Sequence, residues 1–341
     1  MKMVGLKELA VLAKLRNSEV LVYFTSDKNS GNPKLNLAAS IADDVVPLFN
    51  EQLRIIGKTK KITLFLYSAG GFLTTPWPLV NLIREYCDEF EVIVPFRALS
   101  AATLITLGAD KIVMTPLSQL GPIDPTGQFL LGDKNLQVQV EDITSFIDFA
   151  KKKNGLKSQD ALSVVFQEIT KHIPPSVIGS INRTHSLIRM LAEKMLDLHK
   201  QKLAPKTKKQ IVQYLTEKLF SHQHYINRKE AINLGMVSLI EKADQKNEEA
   251  INALFEVYSS ASQILNEFQP VHILGEKETE SFELLRAAVH STKLQFTLTS
   301  KYQVQKIANP SGGQMINVAP TESGWQKLKN EDATKKSASH K

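Results

Sequence analysis

Apolar residues along this chain fall into two alternating kinds of run. The short kind is rich in β-branched and aromatic residues: residues 20–25 (VLVYFT), 62–67 (ITLFLY), 92–96 (VIVPF) and 111–114 (KIVM). Each reads as a strand buried on both faces. Between them lie segments with apolar residues at helical spacing. Ile41, Val45, Leu48, Gln52 and Ile55 form one, Leu79, Leu82, Ile83 and Tyr86 a second, and the stretch after Ser100 a third. Strands alternating with helices at this spacing predict an α/β fold with a parallel sheet and crossover helices.

The flanks are patterned differently. Residues 4–15 predict a short amphipathic helix through Leu6, Leu9, Ala10 and Ala13, and residues 26–36 a polar loop. Residues 142–153 and 158–172 read as helices, with a break at Pro174-Pro175. Residues 177–201 form a long amphipathic pattern with Ile178, Ile181, His185, Ile188, Leu191, Met195 and Leu198 along one side, and residues 209–220 a further helix. A turn, a short strand pair, a helix beginning Glu230-Ala231 and ending at Gly235, and a final strand follow.

After Lys242 the pattern changes: a helix over 247–268, a loop, a helix over 281–290, and a hairpin turning at Pro310-Ser311-Gly312-Gly313. This divides the chain into a main domain (1–244), a small accessory α+β module (245–327) and a charged tail (328–341) expected to be disordered.

Composition narrows the function. At 341 residues, 43% hydrophobic and 23% charged, the chain is an ordinary globular sequence. No apolar run is long enough for a membrane span, and Lys7 and Lys14 interrupt any signal-like core, so a cytoplasmic protein without a transmembrane segment is expected. The net charge of +7 is spread over scattered lysines not interleaved with aromatics, which argues against nucleic acid as a partner. A single cysteine, Cys87, closing a helical pattern, excludes a disulfide framework and reads as a buried structural thiol. His222-x-His224 lacks the companions of a metal site, and no phosphate-binding glycine motif occurs, so neither metal nor cofactor is expected.

The candidate chemistry sits at two strand-to-helix junctions, Ser68-Ala69-Gly70-Gly71 and Leu99-Ser100-Ala101-Ala102. A helix starting at a strand's carboxyl end points unpaired N–H groups outward, where they favour an anion. Two glycines there let a ligand approach the backbone, and a serine in the first turn of the neighbouring helix places a hydroxyl beside such donors. Acyl transfer needs this combination of nucleophile and oxyanion donors. Ser100 is therefore the candidate nucleophile, its alternative role being a helix N-cap, with Gly70, Gly71 and the N–H of Ala101 as the oxyanion hole.

The SAGG turn, followed by PFRALSAATLITLGADKIVM and then LGPIDP, resembles the serine dehydrogenase proteinase family, within the wider SppA and Clp protease group of crotonase-type fold. The resemblance is specific over about residues 60–127, weaker over 174–241, and absent beyond about 245. It implies a ClpP/crotonase-like spiral of parallel βα units. It also implies an ATP-independent serine endopeptidase acting on peptides or unfolded proteins, and a homo-oligomer with residues 177–220 as contact surface.

The resemblance leaves the general base open. Where Clp-type relatives carry their catalytic histidine, this chain has Pro122-Ile123-Asp124-Pro125, and Asp124 can orient a base or cap the loop. SppA-type relatives use a downstream lysine, which points to Lys151, Lys152 or Lys153, with Lys152 central. His222 lies at the turn where Clp-type relatives hold the aspartate, and Gln223 departs there from the family's His-Asp. Two other readings compete: a non-catalytic scaffold, and an acyl-CoA-handling enzyme on the same fold, against which a serine at the second junction argues.

Overall fold

The computed structural model describes residues 3–32, 35–123, 126–131, 134–152, 154–156, 158–218, 224–308 and 314–329. Helix α1 (Leu6–Arg16) leads into β1 (Glu19–Thr25), and three βα units follow. They comprise α2 (Val45–Ile56), β2 (Thr59–Tyr67), α3 (Pro76–Arg84), β3 (Cys87–Val94), the two-residue β4 (Arg97–Ala98), α4 (Ala101–Leu107) and β5 (Lys111–Met114). Next come β6 (Gln119–Leu120), a hairpin of β7 (Thr126–Leu131) and β8 (Lys134–Gln139), and the helices α5 (Val140–Lys152), α6 (Gln159–His172) and α7 (Pro175–Leu196). Helix α8 (Pro205–Gln213) runs into a π-helical turn (Tyr214–Lys218), followed by β9 (Ile226–Asn227), α9 (Arg228–Asn233) and β10 (Ile240–Lys242). The chain continues through α10 (Gln245–Ser262), α11 (Pro270–Leu274), β11 (Thr279–His290), β12 (Leu294–Ala308) and β13 (Gln314–Lys329).

The main sheet has the order β10-β5-β3-β2-β1-β11-β12-β13. The strands from β10 to β1 are parallel, in registers such as Val22↔Phe65, Leu64↔Val92 and Val92↔Ile112. From β11 onward the pairing is antiparallel. Alternation along the strands divides their apolar runs between two cores. Leu21, Tyr23, Leu64 and Leu66 face α2, α3, α4 and α7. Val22, Phe24, Phe65 and Tyr67 face α1 and α10. Each such side chain contributes about 1.5–3 kcal/mol on burial.

Two expectations change. Residues 281–290 have helix-favouring composition but form the strand β11, because β12 pairs along its length and β1 along residues 287–290, burying its second half. Cys87 opens β3 rather than closing a helix; it is half-buried, and desolvation raises its thiol to about 11, as expected of a structural thiol. The hairpin β7–β8, unread in the sequence, precedes α5. Beyond position 244, α10 packs in the same core as β1, and β11 to β13 continue the main sheet. Residues 309–313 of the expected turn, and 330–341 of the tail, lie outside the described residues.

At the amino-terminal edge of the sheet, Glu91 is buried against two cations. Arg16 Nη2 lies 2.5 Å and Lys61 Nζ 2.8 Å from Glu91 Oε2, and Arg16 Nε donates to Oε1 at 2.9 Å. Burial would raise the Glu91 carboxyl, but the hydrogen bonds from Arg16 and Lys61 outweigh it and hold the group below its ordinary value. Its contribution is present above the ordinary carboxylate range and lost as pH falls through the lowered folded value. Arg16→Met leaves a buried carboxylate with one partner fewer. It should lower stability by about 3–5 kcal/mol in urea unfolding at neutral pH, with a shallower loss on acidification than wild type.

His290 supplies a second pH dependence. It is fully buried, with Nδ1 2.9 Å from Tyr258 Oη and Nε2 2.9 Å from Thr297 Oγ1. Desolvation pushes it down to about 3 from an ordinary 6.5. The unfolded chain therefore binds a proton that the folded chain refuses between those values, so stability falls as pH drops below 6.5. The expected loss is about 2 kcal/mol near pH 5, diminished in His290→Gln, read from urea midpoints across pH.

Candidate active site

The Ser68-Ala69-Gly70-Gly71 turn leaves the end of β2 and is held from three sides. The Ser68 N–H donates to Arg97 O and the Leu99 N–H to Ser68 O, both at 3.0 Å, tying the turn to β4. The Ser68 hydroxyl accepts from Thr25 Oγ1 at 2.7 Å and from the Gly70 N–H at 3.0 Å. Gly70 O accepts the Ile41 N–H and Ile41 O accepts the Phe72 N–H, each at 2.8 Å. A Cβ on Gly71 would lie 2.2 Å from Ile41 O and 2.4 Å from Ile41 N. A Cβ on Gly70, which has φ +111°, would lie 2.9 Å from Ser100 Cβ. Both glycines are thus required by close backbone approach, and Gly70 brings the first junction against the second.

Ser100 occupies the N-cap of α4 with φ 52° and ψ −116°, a conformation costly for a residue with a side chain. The Ala102 N–H donates to Leu99 O and the Leu104 N–H to Ser100 O. Ser100 is half-buried, and its hydroxyl makes no capping bond and no other hydrogen bond among the described residues. The N–H groups of Ala101 and Gly71 likewise have no acceptor among the described residues, whereas that of Gly70 is taken by Ser68.

The buried Thr103 side chain locks α4 to the following loop. Its hydroxyl donates to Ala98 O at 2.7 Å, lies 2.9 Å from Gly121 O, and accepts the Gly121 N–H at 3.1 Å. A Cβ on Gly121 would lie 3.1 Å from Leu99 Cβ, so this loop packs directly on the residue before Ser100. The Ile123 N–H donates to Leu215 O in the π-helical turn, at 3.0 Å.

A small sheet, β4-β6-β9, carries further polar groups to this end of the molecule. Arg97 pairs with Asp27 at 3.0 Å and lies over the rings of Phe96 and Tyr225, 4.2 and 5.7 Å from their centroids. Asp27 also accepts from Tyr67 Oη at 2.7 Å. His224 Nε2 lies 2.8 Å from Glu230 Oε1, which also accepts from Tyr214 Oη at 2.7 Å. That bond raises the Tyr214 phenol to about 12.

Of the expected site residues, Ser100, Gly70, Gly71 and Ala101 come together at the two junctions. Lys151 and Lys152 are exposed on the last turn of α5. Asp124, His222 and Lys153 lie outside the described residues. Sequence reasoning missed the hydroxyls of Ser68 and Thr103, and Glu230. Only Glu230 had a local signal: Asn227 caps α9 through the N–H groups of Lys229 and Glu230, a capping-box spacing. Among the described residues no His, Cys, Asp or Glu cluster could hold a metal. Nor is any helix there long and apolar enough to cross a membrane.

Parallel βα units, with a diglycine turn pressed against a strained serine at the carboxyl edge of the sheet, define a ClpP-like α/β fold. The chain belongs to the family of ClpP-like SDH-type serine proteinases, which matches residues 43–280 and so runs through α10 to the start of β11. Two uncharacterized proteins of Methanocaldococcus jannaschii are similar to it. One is 26% identical over 259 residues, covering 76% of this chain and 79% of the relative. The other is 23% identical over 184 residues, 54% of each. Among solved structures, ClpP1 from Listeria monocytogenes overlaps 68% of this chain and 95% of its own, at 15% identity and a TM-score of 0.36.

Proposed function

We propose that this protein is an ATP-independent serine endopeptidase that hydrolyses peptide bonds through an acyl-enzyme on Ser100. The observation that carries the reading is the Ser100 backbone, held at φ 52° against Gly70 with its hydroxyl unengaged by the described residues. A helix N-cap gains nothing from that strain, since a capping serine accepts a backbone N–H and has extended dihedrals. A nucleophile on a tight strand-to-helix turn gains exposure and direction.

Ser100 Oγ attacks the scissile carbonyl carbon as its proton passes to a base, and the carbonyl oxygen becomes an oxyanion. The N–H groups of Gly71 and Ala101 receive that charge, while Gly70 contributes by lacking a side chain. Collapse expels the amine, which takes the proton, and water then hydrolyses the ester by the same steps in reverse. Peptides and unfolded chains are the proposed substrates. A homo-oligomer remains part of the proposal, on the strength of the family resemblance.

The test is labelling by a fluorophosphonate probe followed by peptide mapping. Adduct on the peptide containing Ser100 supports the reading. A folded protein that takes no label, with CoA or partner binding instead, supports an acyl-CoA or scaffold role.

A further inference from the structure

Two buried donor groups lack acceptors at one cavity. A hollow of about 210 Å³ lies between β1, the segment before α2, and the strands β11, β12 and β13. Tyr23 and Arg286 both line it, and neither Tyr23 Oη nor Arg286 Nε has a hydrogen-bond partner among the described residues. We propose that this cavity binds a free aliphatic α-amino acid as its zwitterion, and that occupation steadies the Gly70-Gly71 turn. Binding stands apart from the serine-peptidase reading above, and only its consequence for turnover rests on that reading.

The backbone brings the two donors to the same face. Leu285 pairs with Thr299 and Ala287 with Leu298, so Arg286 is an extra residue, a bulge in β11. In a regular strand Arg286 would face away from Ala287; the bulge re-aims it, and both line the cavity. Arg286 Nη2 donates to Ala38 O, while Nε is left without an acceptor. Tyr23 is fully buried, and its phenol reaches the segment before α2. Burial, and after it the charge of Asp44, raises that phenol above its ordinary 10.0, and the nearby Ala42 N–H opposes them only in part. Tyr23 therefore keeps its proton as a donor. Buried donors without acceptors are costly and few in folded proteins.

The lining selects the ligand. A carboxylate matches Tyr23 Oη and Arg286 Nε, because it accepts hydrogen bonds at two oxygens. Asp44 lines the same cavity, with Oδ2 accepting from Trp325 Nε1 at 2.9 Å and no capping bond to α2. A lone anion would meet the Asp44 charge and a lone cation the Arg286 charge, whereas a zwitterion complements both. Val45, Leu298 and Trp325 supply an apolar wall for an aliphatic side chain. The volume lies below the about 300–1,000 Å³ of sites for drug-sized ligands, which restricts the occupant to few atoms. Tyr23, Arg286, Leu298 and Trp325 all lie outside the family match of residues 43–280.

The cavity wall continues into the diglycine turn. Thr25, in the lining, donates from Oγ1 to the Ser68 hydroxyl that holds the Gly70 N–H. Ser40 and Ala42 also line the cavity, and Ile41 between them donates its N–H to Gly70 O and accepts the Phe72 N–H. A ligand that orders residues 40–42 therefore orders the turn, and by linkage an ordered turn binds the ligand more tightly.

The experiment is calorimetric titration of the full-length protein with L-valine, acetate and ethylamine, in wild type, Tyr23→Phe and Asp44→Asn. L-valine should bind wild type saturably at a single site, with each fragment about 10-fold weaker or more. Tyr23→Phe should weaken L-valine by about 10-fold or more, since a hydrogen bond to a charged group is lost. Asp44→Asn, which keeps an acceptor for Trp325, should weaken L-valine similarly without weakening acetate. Hydrogen exchange at residues 70–72 should slow by about 10-fold at an L-valine concentration that saturates wild type, and by less in Tyr23→Phe. No saturable binding up to about 10 mM overturns the site, and equal affinity in wild type and both variants overturns its location. Acetate binding as tight as that of L-valine overturns the zwitterion, and unchanged exchange at 70–72 overturns the coupling. Wild type that binds L-valine yet takes no fluorophosphonate label on Ser100 overturns the peptidase reading alone, because binding and exchange are read without activity.

Discussion

Ser100→Ala is expected to abolish fluorophosphonate labelling and to lower peptide hydrolysis by about 10⁴-fold or more, since the acyl-enzyme cannot form. The same position offers a test on stability. Ser100 holds a positive φ of 52°, and sparsely populated conformations of this kind cost about 1–3 kcal/mol each. Ser100→Gly removes the Cβ that makes the conformation costly, while raising the entropy of the unfolded chain by a smaller amount. The glycine variant should therefore be as inactive as the alanine variant yet match or exceed wild type in urea midpoint. A serine kept for capping would show the reverse, because its replacement would lose a bond and relieve nothing.

Gly71→Ala should be more damaging to structure. The added methyl would meet Ile41 O at 2.2 Å and Ile41 N at 2.4 Å, and these are backbone atoms that cannot rotate away. Relief requires breaking the two hydrogen bonds that hold residues 70 and 72 to Ile41. Two such bonds plus the displaced turn correspond to about 2–4 kcal/mol. Because the Gly71 N–H is a proposed oxyanion donor, the shift should also cost about 10²–10³-fold in turnover. Gly324, whose added Cβ would meet nothing and whose φ is not positive, serves as the control: Gly324→Ala should leave activity unchanged. Urea unfolding and esterase rates on the two variants separate the outcomes. An active Gly71→Ala would remove this turn from the oxyanion hole.

Much of the architecture was legible because it is local. The apolar runs at β1, β2, β3 and β5 and the helical spacing between them reveal parallel βα units, since strand burial on both faces and helix amphipathicity are written at short period. The two junctions were visible for the same reason: a diglycine and a serine at strand-to-helix boundaries are short-range signals. Residues 281–290 were not legible. Their Glu, Leu, Arg and Ala suit a helix, and only pairing with β1 and β12, which are distant in sequence, makes them β11.

The site divides along the same line. By itself the sequence placed Ser100, Ala101, Gly70 and Gly71 at the junctions, because turn chemistry depends on adjacent residues. Only the tertiary structure decided which N–H groups stay open, since Ser68 reaches Gly70 through a turn that Thr25 braces from another strand. It also decided that Thr103 ties α4 to Gly121, and that Glu91 sits buried between Arg16 and Lys61. His224 received its carboxylate in the same way, from the fold around α9 and the π-helical turn. Hydrogen-bond partners are set by chain crossings that no local pattern encodes, and here those crossings determine which groups are free to react.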